Sequence, residues 1–564
     1  MSLTRRSTRV FVEALDDECR RTMRHLRVPG YPRPYYLSYL LRDIHTLQIW
    51  GRLGNINYIT DQDTRNLYCD CRVGSYRFDQ VSEGGLDDND TEAETFDYVE
   101  MPIGNDADAL KYHVWKLTDG KYREAVRHYL RKKSHHISFV DPNDGVPSFR
   151  RARPIVDVRP RPTRPLDVER WKRYVVRSSR VVKDHPQVKN SFVELRVRDV
   201  SRVFVNSEGS QLLDQQRICE LNCELWLLTR GGEGVRTRVV HVTTDERELP
   251  DLRTFNREIR AKIALLLQLA RAPSLKSYAG PVLLAPGPAG ILLHEVLGHR
   301  LEGSRLLSTR EGQTFKRDLG KQILPGFLSV VDDPTLAVSR GVATAGSYRY
   351  DDEGSPAARA ELVRRGQLTG FLSGRAPVGR GRARANGHAR NEYHERPVSR
   401  MANLVVEAEG GVPHDELRRR FREQIARQGV PFGIMILDAE GGETATEAYD
   451  FQAFMGAVTQ AVQVFPDGRE GLVRNVNFVG TPLSALRTVV AAGDSPRCHN
   501  AFCGAESGVI PVSTTCPALL LSNLELQASD QRKFAPYVLP MPFEKAALGR
   551  ARPQRRGRRD GGAG

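Results

Sequence analysis

The chain has 564 residues, of which 40% are apolar and 27% charged, and its formal net charge is +15. This length allows two or more domains with their own cores, and this composition is typical of a soluble protein. The longest apolar stretch, residues 261–270, is about half as long as a membrane span, so it predicts a core helix and not a transmembrane one.

The sequence favours a cytoplasmic protein. Residues 1–15 include basic side chains but lack the apolar region of a secretory signal. Eight cysteines are few for a chain of this size, and their spacing does not suggest a disulfide framework. We therefore expect reduced thiols in a reducing compartment.

Most of the positive charge lies in two segments. Residues 150–183 hold twelve Lys and Arg against three acidic residues, and residues 550–564 hold six Arg against one. The first segment is interrupted by prolines, which predicts an extended basic connector at about 146–190. The second predicts a disordered Arg/Gly-rich tail at 546–564. Because few aromatic side chains are interleaved with these charges, specific nucleic-acid recognition is not expected.

In the first half, the pattern predicts strands covered by helices. Apolar residues recur at helical spacing over residues 8–26, which predicts an amphipathic helix. Further along the chain we predict an apolar segment at 35–44, strands at 47–53, 56–60 and 66–78, a helix at 106–133 interrupted near Asp119-Gly120, strands at 192–205, 218–229 and 235–243, and a helix at 255–272. Strands with packing helices indicate an α+β domain over residues 1–276.

Two pairs of cysteines lie on these predicted strands. Cys69 and Cys71 alternate with mostly polar neighbours, so both are expected on the buried face of a strand. A C-x-C metal-ligand pair is the alternative. Cys219 and Cys223 are four residues apart on a strand, a spacing that does not bring two thiols onto one ion.

The second half, residues 277–545, is predicted to be mostly antiparallel β. We predict strands at 281–285, 327–331, 342–347, 360–363, 368–372, 404–407, 434–437, 461–465, 472–478, 509–512 and 518–526, the last two paired with each other, and helices at 414–428 and 482–492. Arg365-Gly366 and Pro466-Asp467-Gly468 are predicted hairpin turns. The predicted fold class is α+β in two domains, the second carrying a metal-binding helix.

That helix contains His294-Glu295-x-x-x-His299, preceded by the apolar residues 291–293. Neutral imidazoles are good ligands for zinc, and a neighbouring carboxylate can take a proton from a water on the metal. At i and i+5 two side chains are about 140° apart on an α-helix, so a straight helix would separate the two histidines. One extra residue in a turn, as in a π-bulge, would restore their convergence. Gly298 is expected to tolerate that distortion best. The alternative is a pair of hydrogen-bonded core histidines.

A catalytic zinc site needs a third protein ligand and one open position. The candidates are downstream histidines and cysteines: His388, His394, Cys498, His499, Cys503 and Cys516. His388 and His394 lie in an Arg-rich loop and are expected at the surface. Cys503-Gly504 is expected in a turn between a helix and the last strands, where a thiolate could face a cleft. Spacing alone favours residues 498–503 without selecting one of them.

The motif and several other segments resemble one known family. Residues 285–303, with their Leu-Leu-His-Glu-x-x-Gly-His-x-Leu-Glu-Gly core, are similar to the TldD subunit of the TldD/PmbA (TldE) metalloproteases. Further similar segments follow in the same order: residues 34–39, 68–76, 351–356 and 400–403, Cys503-Gly504 and residues 510–512. The segment after Cys503-Gly504 departs from the family pattern, as does Ser304.

The resemblance implies the identity of the site. It implies that His294, His299 and Cys503 bind Zn²⁺ and that Glu295 is the catalytic base. It also implies unfolded or short peptide substrates, held extended, and a dimer that often includes a PmbA/TldE-type paralogue. On this basis the predicted function is zinc-dependent hydrolysis of peptide bonds.

Two alternatives remain beside this function. A catalytically silent zinc protein that acts as a peptide-binding or assembly module is the non-enzyme alternative, although a structural site would not need Glu295. The dipeptidyl peptidases with a His-Glu-Leu-Leu-Gly-His motif are the other, although no Glu-Glu-x-Arg-Ala helix follows the motif in this sequence.

Overall fold

The computed structural model describes residues 5–86, 99–138, 145–378, 384–448, 453–529, 533–535, 537, 539 and 541–542. The predicted tail at 546–564 lies outside these residues. The helices are α1 Arg5–His25, α2 Ala107–Ser138, α3 Val168–Ser179, α4 Leu252–Leu269, α5 Pro286–Leu293, α6 His414–Gln428 and α7 Pro482–Arg487.

The first half is built on one sheet of seven strands. Its strands are β1 Pro34–Arg52, β2 Asn55–Val73, β3 Val99–Glu100, β4 Val156–Asp157, β5 Asn190–Asn206, β6 Gln211–Leu228 and β7 Gly234–Thr243. The order is β3-β2-β1-β5-β6-β4, with β7 also paired to β6. The separate strands predicted before residue 78 are therefore wrong in extent, because they merge into two long ones. Leu53 and Gly54 join β1 to β2 with positive φ angles of 50° and 78°, as a two-residue hairpin turn requires.

Helices cover one face of this sheet. Leu37, Tyr39 and Leu41 of β1 pack into the cluster that also contains residues of α1 and α2, whereas Leu47 and Ile49 pack with α3 and α4. These residues are separated by even numbers along a regular ladder, so they share a face. The buried face predicted for Cys69 and Cys71 on the next strand is confirmed, because both lie in the same cluster as α1 and α2.

Two helical predictions in this half need correction. Helix α2 runs unbroken through Asp119 and Gly120. The connector predicted as extended contains α3, whose Trp171, Tyr174 and Val175 are buried against the sheet. The side chain of Asp167 caps this helix by accepting a hydrogen bond from the backbone nitrogen of Arg170. The prolines before residue 166 suggested an extended segment, although the amphipathic helix α3 follows them in sequence.

The other face of the sheet contacts the second half through buried arginines. Arg42 donates to the side-chain oxygen of Asn391, 2.5 Å away, and Arg202 donates to Asp352 at 2.9 Å. A buried ion pair contributes little net stability, but a partner left behind unpaired is costly, so such pairs specify one arrangement of the two halves. They join the first-half sheet to the second half at Asn391 and Asp352.

The second half contains a barrel and a six-stranded sheet. Its strands are β8 Ser277–Leu284, β9 Leu328–Asp332, β10 Val338–Ser339, β11 Val342–Ala343, β12 Ala360–Arg364, β13 Gln367–Leu368, β14 Ala389–Arg390, β15 Val398–Ser399, β16 Asn403–Ala408, β17 Gly433–Thr444, β18 Phe454–Val464, β19 Glu470–Val473, β20 Val476–Gly480, β21 Val489–Ala492, β22 Arg497–Ala505, β23 Gly508–Cys516 and β24 Leu519–Ala528. Strands β17, β8, β24, β20 and β18 pair in a closed ring, and the sheet has the order β13-β12-β9-β16-β23-β22.

Both predicted hairpin turns are confirmed, but the predicted pairing of the last two strands is wrong. Arg365-Gly366 joins β12 to β13 with two positive φ angles, and the turn after Phe465 joins β18 to β19. Strand β23 pairs with β22 and β16, whereas β24 belongs to the barrel and pairs with β8, β20 and β21. The helix predicted at 482–492 ends at Arg487, where β21 soon begins.

The fold is α+β, as the sequence predicts. The domain boundary at residues 276 and 277 remains a prediction, and it falls between α4 and β8. Among the described residues, the helices lack the combination of length and hydropathy that a membrane span requires.

Candidate metal centre

The motif helix contains the π turn that the histidine spacing predicts. Helix α5 ends at Leu293, residues His294–Gly298 form a π-helical turn, and short 3₁₀ turns follow at His299–Leu301 and Gly303–Leu307. Packing fixes this helix between barrel and sheet, because Leu292, Val296 and Leu297 are fully buried in the core that both share.

The reason for glycine at 298 differs from the predicted one. Its backbone angles, φ −54° and ψ −58°, are ordinary right-handed helical values that other residues adopt easily. A Cβ at this position would instead overlap the sulfur of Met401. The close approach of Met401 to the π turn therefore favours glycine here, whereas the backbone angles do not.

The structure brings His294, His299 and Cys503 together across more than two hundred residues of sequence. The Cys503 sulfur lies 3.2 Å from Nε2 of His294 and 3.5 Å from Nε2 of His299. The two imidazole rings stand at 89° to each other with their centroids 4.9 Å apart. Within the described part of the chain, these three residues form the group whose ligand atoms could hold a metal ion.

The donor set and its spacing fit zinc. Zn–N distances of about 2.0–2.1 Å and a Zn–S distance of about 2.3 Å place N and S about 3.6 Å apart in a tetrahedral site, close to the two separations observed here. The electrostatics fit as well. Burial alone raises the pKa of the Cys503 thiol, but the two histidines together hold it well below its usual value. Burial opposes protonation of His299, yet Glu302 and Cys503 raise its pKa to about 10. This pocket is thus arranged to hold positive charge beside a thiolate.

Glu302 supports His299 from behind. Its Oε2 lies 3.2 Å from Nδ1 of His299, which leaves Nε2 directed toward Cys503. The same oxygen accepts a hydrogen bond from Nε of Arg305 at 3.0 Å. Burial alone would raise the pKa of Glu302, but His299 and Arg305 lower it to about 2. A carboxylate behind a histidine ligand fixes the tautomer and the orientation of the ring.

Sequence reasoning missed Glu302 and Arg305 as parts of the site. Residues 299, 302 and 305 are spaced by three, but Glu302 has extended backbone angles between the two short 3₁₀ turns, so helical periodicity does not explain their meeting. Arg305 also donates to Glu311 and Glu506, so it connects the motif helix to the segment that follows Cys503.

Glu295 faces a cleft of about 1120 Å³ between the two halves of the chain. The cleft is lined by residues of β6, β7 and α4 from the first half and of α5, β17 and β22 from the second. Glu295 is 7% exposed, and burial raises its pKa although both histidines lower it. Gly442 of β17 lies directly against it, since a Cβ there would be 2.6 Å from Cγ of Glu295.

The structure separates Cys503 from the other candidate ligands. Cys503 lies on β22 and not in the predicted turn. His388, expected at the surface, is fully buried and pairs with Asp332 at 3.2 Å. His394 is half-buried near Glu395. His499 lines the cleft beside Gly287, away from the three-ligand group.

The remaining cysteines are core residues. Cys498 and Cys516 are buried, and burial raises the pKa of both thiols. Cys69 and Cys71 are buried in the core beneath α1 and α2, as the sequence predicts.

Comparison with known proteins is consistent with this site. Residues 277–528 match the family model of the PmbA/TldA metallopeptidase C-terminal domain. A metalloprotease of Methanothermobacter thermautotrophicus is 28% identical over 345 residues, which cover 59% of this chain and 68% of that protein. A zinc metalloprotease TldD homolog of Saccharolobus solfataricus is 22% identical over 351 residues, 61% of this chain and 72% of that protein.

Similarity of fold extends over nearly the whole chain. The crystal structure of TldE from Thermococcus kodakarensis superposes with a TM-score of 0.57, covers 91% of this chain and 100% of that one, and is 13% identical. At this level of identity the match concerns the fold alone. Together, the domain match and the named relatives place the chain among metallopeptidase-type proteins. Within that class, its residues 277–528 belong to the TldD/PmbA family, as the sequence motifs there indicate.

Proposed function

We propose that the chain is a zinc-dependent metallopeptidase of the TldD type, which hydrolyses peptide bonds of unfolded or short peptides. The observation that carries this proposal is the convergence of His294, His299 and Cys503 beside Glu295 in an accessible cleft. The relative from Saccharolobus solfataricus, named a zinc metalloprotease, supports the choice of metal.

The three ligands and Glu295 divide the chemistry between them. His294, His299 and Cys503 would hold zinc, which would polarise the scissile carbonyl and lower the pKa of a water molecule toward about 7. Glu295 would accept a proton from the attacking water and pass it to the leaving amine. Its place next to His294, with the carboxylate at the cleft, suits this role. A structural zinc site has no need of such a base.

Two strand edges along the cleft support an extended substrate. Strand β17 pairs with β8 only as far as Ile436, yet it continues to Thr444. Strand β22 is the last strand of its sheet and pairs with β23 alone. In the described residues, no strand occupies the second edge of β22 or of residues 437–444, although Arg238 donates to the backbone oxygen of Glu440. An extended peptide could pair with either edge through its backbone, which gives low side-chain specificity.

A dimeric state with a PmbA/TldE-type paralogue is part of the proposal. Its support is the similarity of fold to a protein named TldE. Because such a partner could be needed for activity, the experiment must include it.

The test measures zinc content and peptide hydrolysis for the wild-type chain and Glu295→Gln. We expect about one zinc per chain in both proteins and a loss of hydrolysis on the order of 10²–10⁴-fold in the variant. If the wild type holds zinc but hydrolyses no unfolded peptide, even with a PmbA/TldE-type partner added, the chain is a binding module and the proposed activity is wrong. Equal hydrolysis by both proteins would exclude Glu295 as the base.

A further inference from the structure

Arg400 contacts the proposed metal thiolate directly. It lies between β15 and β16 with its side chain fully buried. Its Nη2 donates to the backbone oxygen of Cys503 at 2.7 Å and to the Cys503 sulfur at 3.3 Å. Its Nη1 donates to the hydroxyl of Ser507 at 2.9 Å and to the backbone oxygen of Gly508 at 3.0 Å. The guanidinium therefore holds the segment that follows Cys503 and the sulfur atom at once.

A second contact joins Arg400 to the other side of the site. Its Nε lies 3.7 Å from Oε1 of Glu302, and neither atom has a hydrogen-bond partner. The other oxygen of Glu302 contacts His299. The carboxylate behind one ligand and the guanidinium beside another thus face each other as a buried ion pair. These acceptors hold the guanidinium of Arg400 in one orientation, because its planar set of N–H donors can reach all of them in only one position.

We propose that Arg400 is a positioning residue that acts through Cys503: it fixes the sulfur and withdraws negative charge from it. This inference rests on the proposed function, in which Cys503 is a metal ligand. It assigns a role to a residue that itself reaches neither the metal nor the substrate.

The physical reason is the charge of the thiolate. A thiolate ligand donates more negative charge to zinc than an imidazole does, which weakens the ion as a Lewis acid. A charge-assisted hydrogen bond from arginine draws electron density toward the donor and so opposes that effect. Hydrogen bonds to ligand sulfurs are among the means by which a protein tunes a metal. Arg400 would thereby let a two-histidine, one-cysteine site keep the acidity that hydrolysis requires.

The test replaces the native metal with cobalt(II), added as cobalt chloride, and records the sulfur-to-cobalt charge-transfer band. Removing the N–H···S hydrogen bond raises the energy of the sulfur lone pairs, so the band of Arg400→Gln should move to longer wavelength. Arg400→Lys keeps the charge but loses the fork, so its band should lie between those of Arg400→Gln and the wild type. Hydrolysis by the zinc form of Arg400→Gln should fall by about 10–100-fold, the usual effect of losing a partner of a metal ligand.

Two further variants guard against a general effect on folding. Ser507→Ala removes one acceptor of Arg400 but leaves the arginine in place, so it should give a smaller shift in the same direction. Arg390→Gln is the matched control. Arg390 is also buried in this region and donates to the backbone oxygens of Met401 and Pro511, not to Cys503. Its band should stay at the wild-type position.

The outcomes distinguish a failure of this inference from a failure of the proposed function on which it rests. If the wild-type cobalt protein shows no sulfur-to-cobalt band, Cys503 is not a ligand and both ideas are wrong. If the band is present but Arg400→Gln and Ser507→Ala leave it unmoved, the role of Arg400 is wrong and the metal site stands. If Arg400→Gln does not fold, Ser507→Ala and Arg400→Lys decide the question alone.

Discussion

Cys498 and Cys503 occupy the two ends of the same strand, and only one of them adjoins the histidines. Both are buried, with 9% and 5% of the residue exposed. Because they are five positions apart, an odd number, on the regular strand β22, their side chains point to opposite faces. Burial raises the pKa of Cys498, whereas His299 and His294 overcome burial and lower the pKa of Cys503. Burial therefore does not distinguish a ligand from a core thiol. The groups that face the sulfur do.

The comparison is tested most directly by removing each thiol. Cys503→Ala should lose essentially all of the bound zinc, about one ion per chain, because two histidines alone do not complete a catalytic site. Cys498→Ala should retain it. Metal analysis after gel filtration measures both. Full zinc retention in Cys503→Ala would mean that the sulfur is not a ligand, and His499, which lines the same cleft, would be examined next.

Two glycines extend the comparison from cysteines to the proposed base. Gly442→Ala should lower kcat/KM by on the order of 10²-fold with zinc content unchanged, because the new Cβ would displace Glu295 and small misplacements of catalytic groups are costly. Gly471→Ala in β19 is the control, since nothing lies within 4 Å of a Cβ there. Steady-state kinetics give kcat/KM for both variants, and metal analysis gives their zinc content. Unchanged kinetics in Gly442→Ala would argue that Glu295 does not act from the position seen here.

Glu302 and Glu311 form a third pair of like residues. Both accept hydrogen bonds from Arg305, but only Glu302 also contacts His299. Glu302→Gln should weaken zinc binding by about 10-fold, the lower end of the usual effect of such partners, while Glu311→Gln should change it much less. Competition with a coloured chelator gives both affinities. Equal affinities for the two variants would show that Glu302 acts only through Arg305.

The smallest effect is expected at Cys516. This thiol is fully buried in the core shared by the barrel and the sheet. Cys516→Ala should lower the free energy of unfolding by about 1 kcal/mol, as for other small core truncations, and leave zinc content unchanged. Urea unfolding measures the first and metal analysis the second. Zinc loss without a larger loss of stability would place Cys516 in the site after all.

Local sequence signals predicted much of the fold, but they did not predict which distant strands pair. The Arg365-Gly366 turn was predictable because its geometry favours particular residue types, and the helix predicted at 414–428 has the same bounds in the structure. The partners of β23 and β24 were not predictable in the same way. Strands that follow each other in sequence usually pair, but here the chain crosses from the sheet to the barrel between these two strands. Helix α3 was missed although Trp171, Tyr174 and Val175 have helical spacing, since the prolines before it dominated the interpretation.

At the site, the sequence predicted the features that depend on the residues of a single helix. Spacing alone predicted the π turn, and family resemblance selected Cys503. Arg400 could not be predicted as a neighbour of that sulfur, because it lies 103 residues away in sequence and the contact exists only once β16, β23 and β22 have assembled into one sheet. His388 was wrongly expected at the surface for a similar reason. Its partner, Asp332, is the last residue of β9 and lies 56 residues earlier in the sequence.

The π turn has a consequence for how such motifs are recognised in sequences. A helix that gains one residue can absorb it within a single widened turn, so the residues before and after keep their packing. His294 and His299 have the spacing of an i, i+4 histidine pair with one residue inserted between them, and the π turn accommodates that residue. Searches that demand a fixed interval between the histidines would separate proteins whose metal sites differ by a single local insertion.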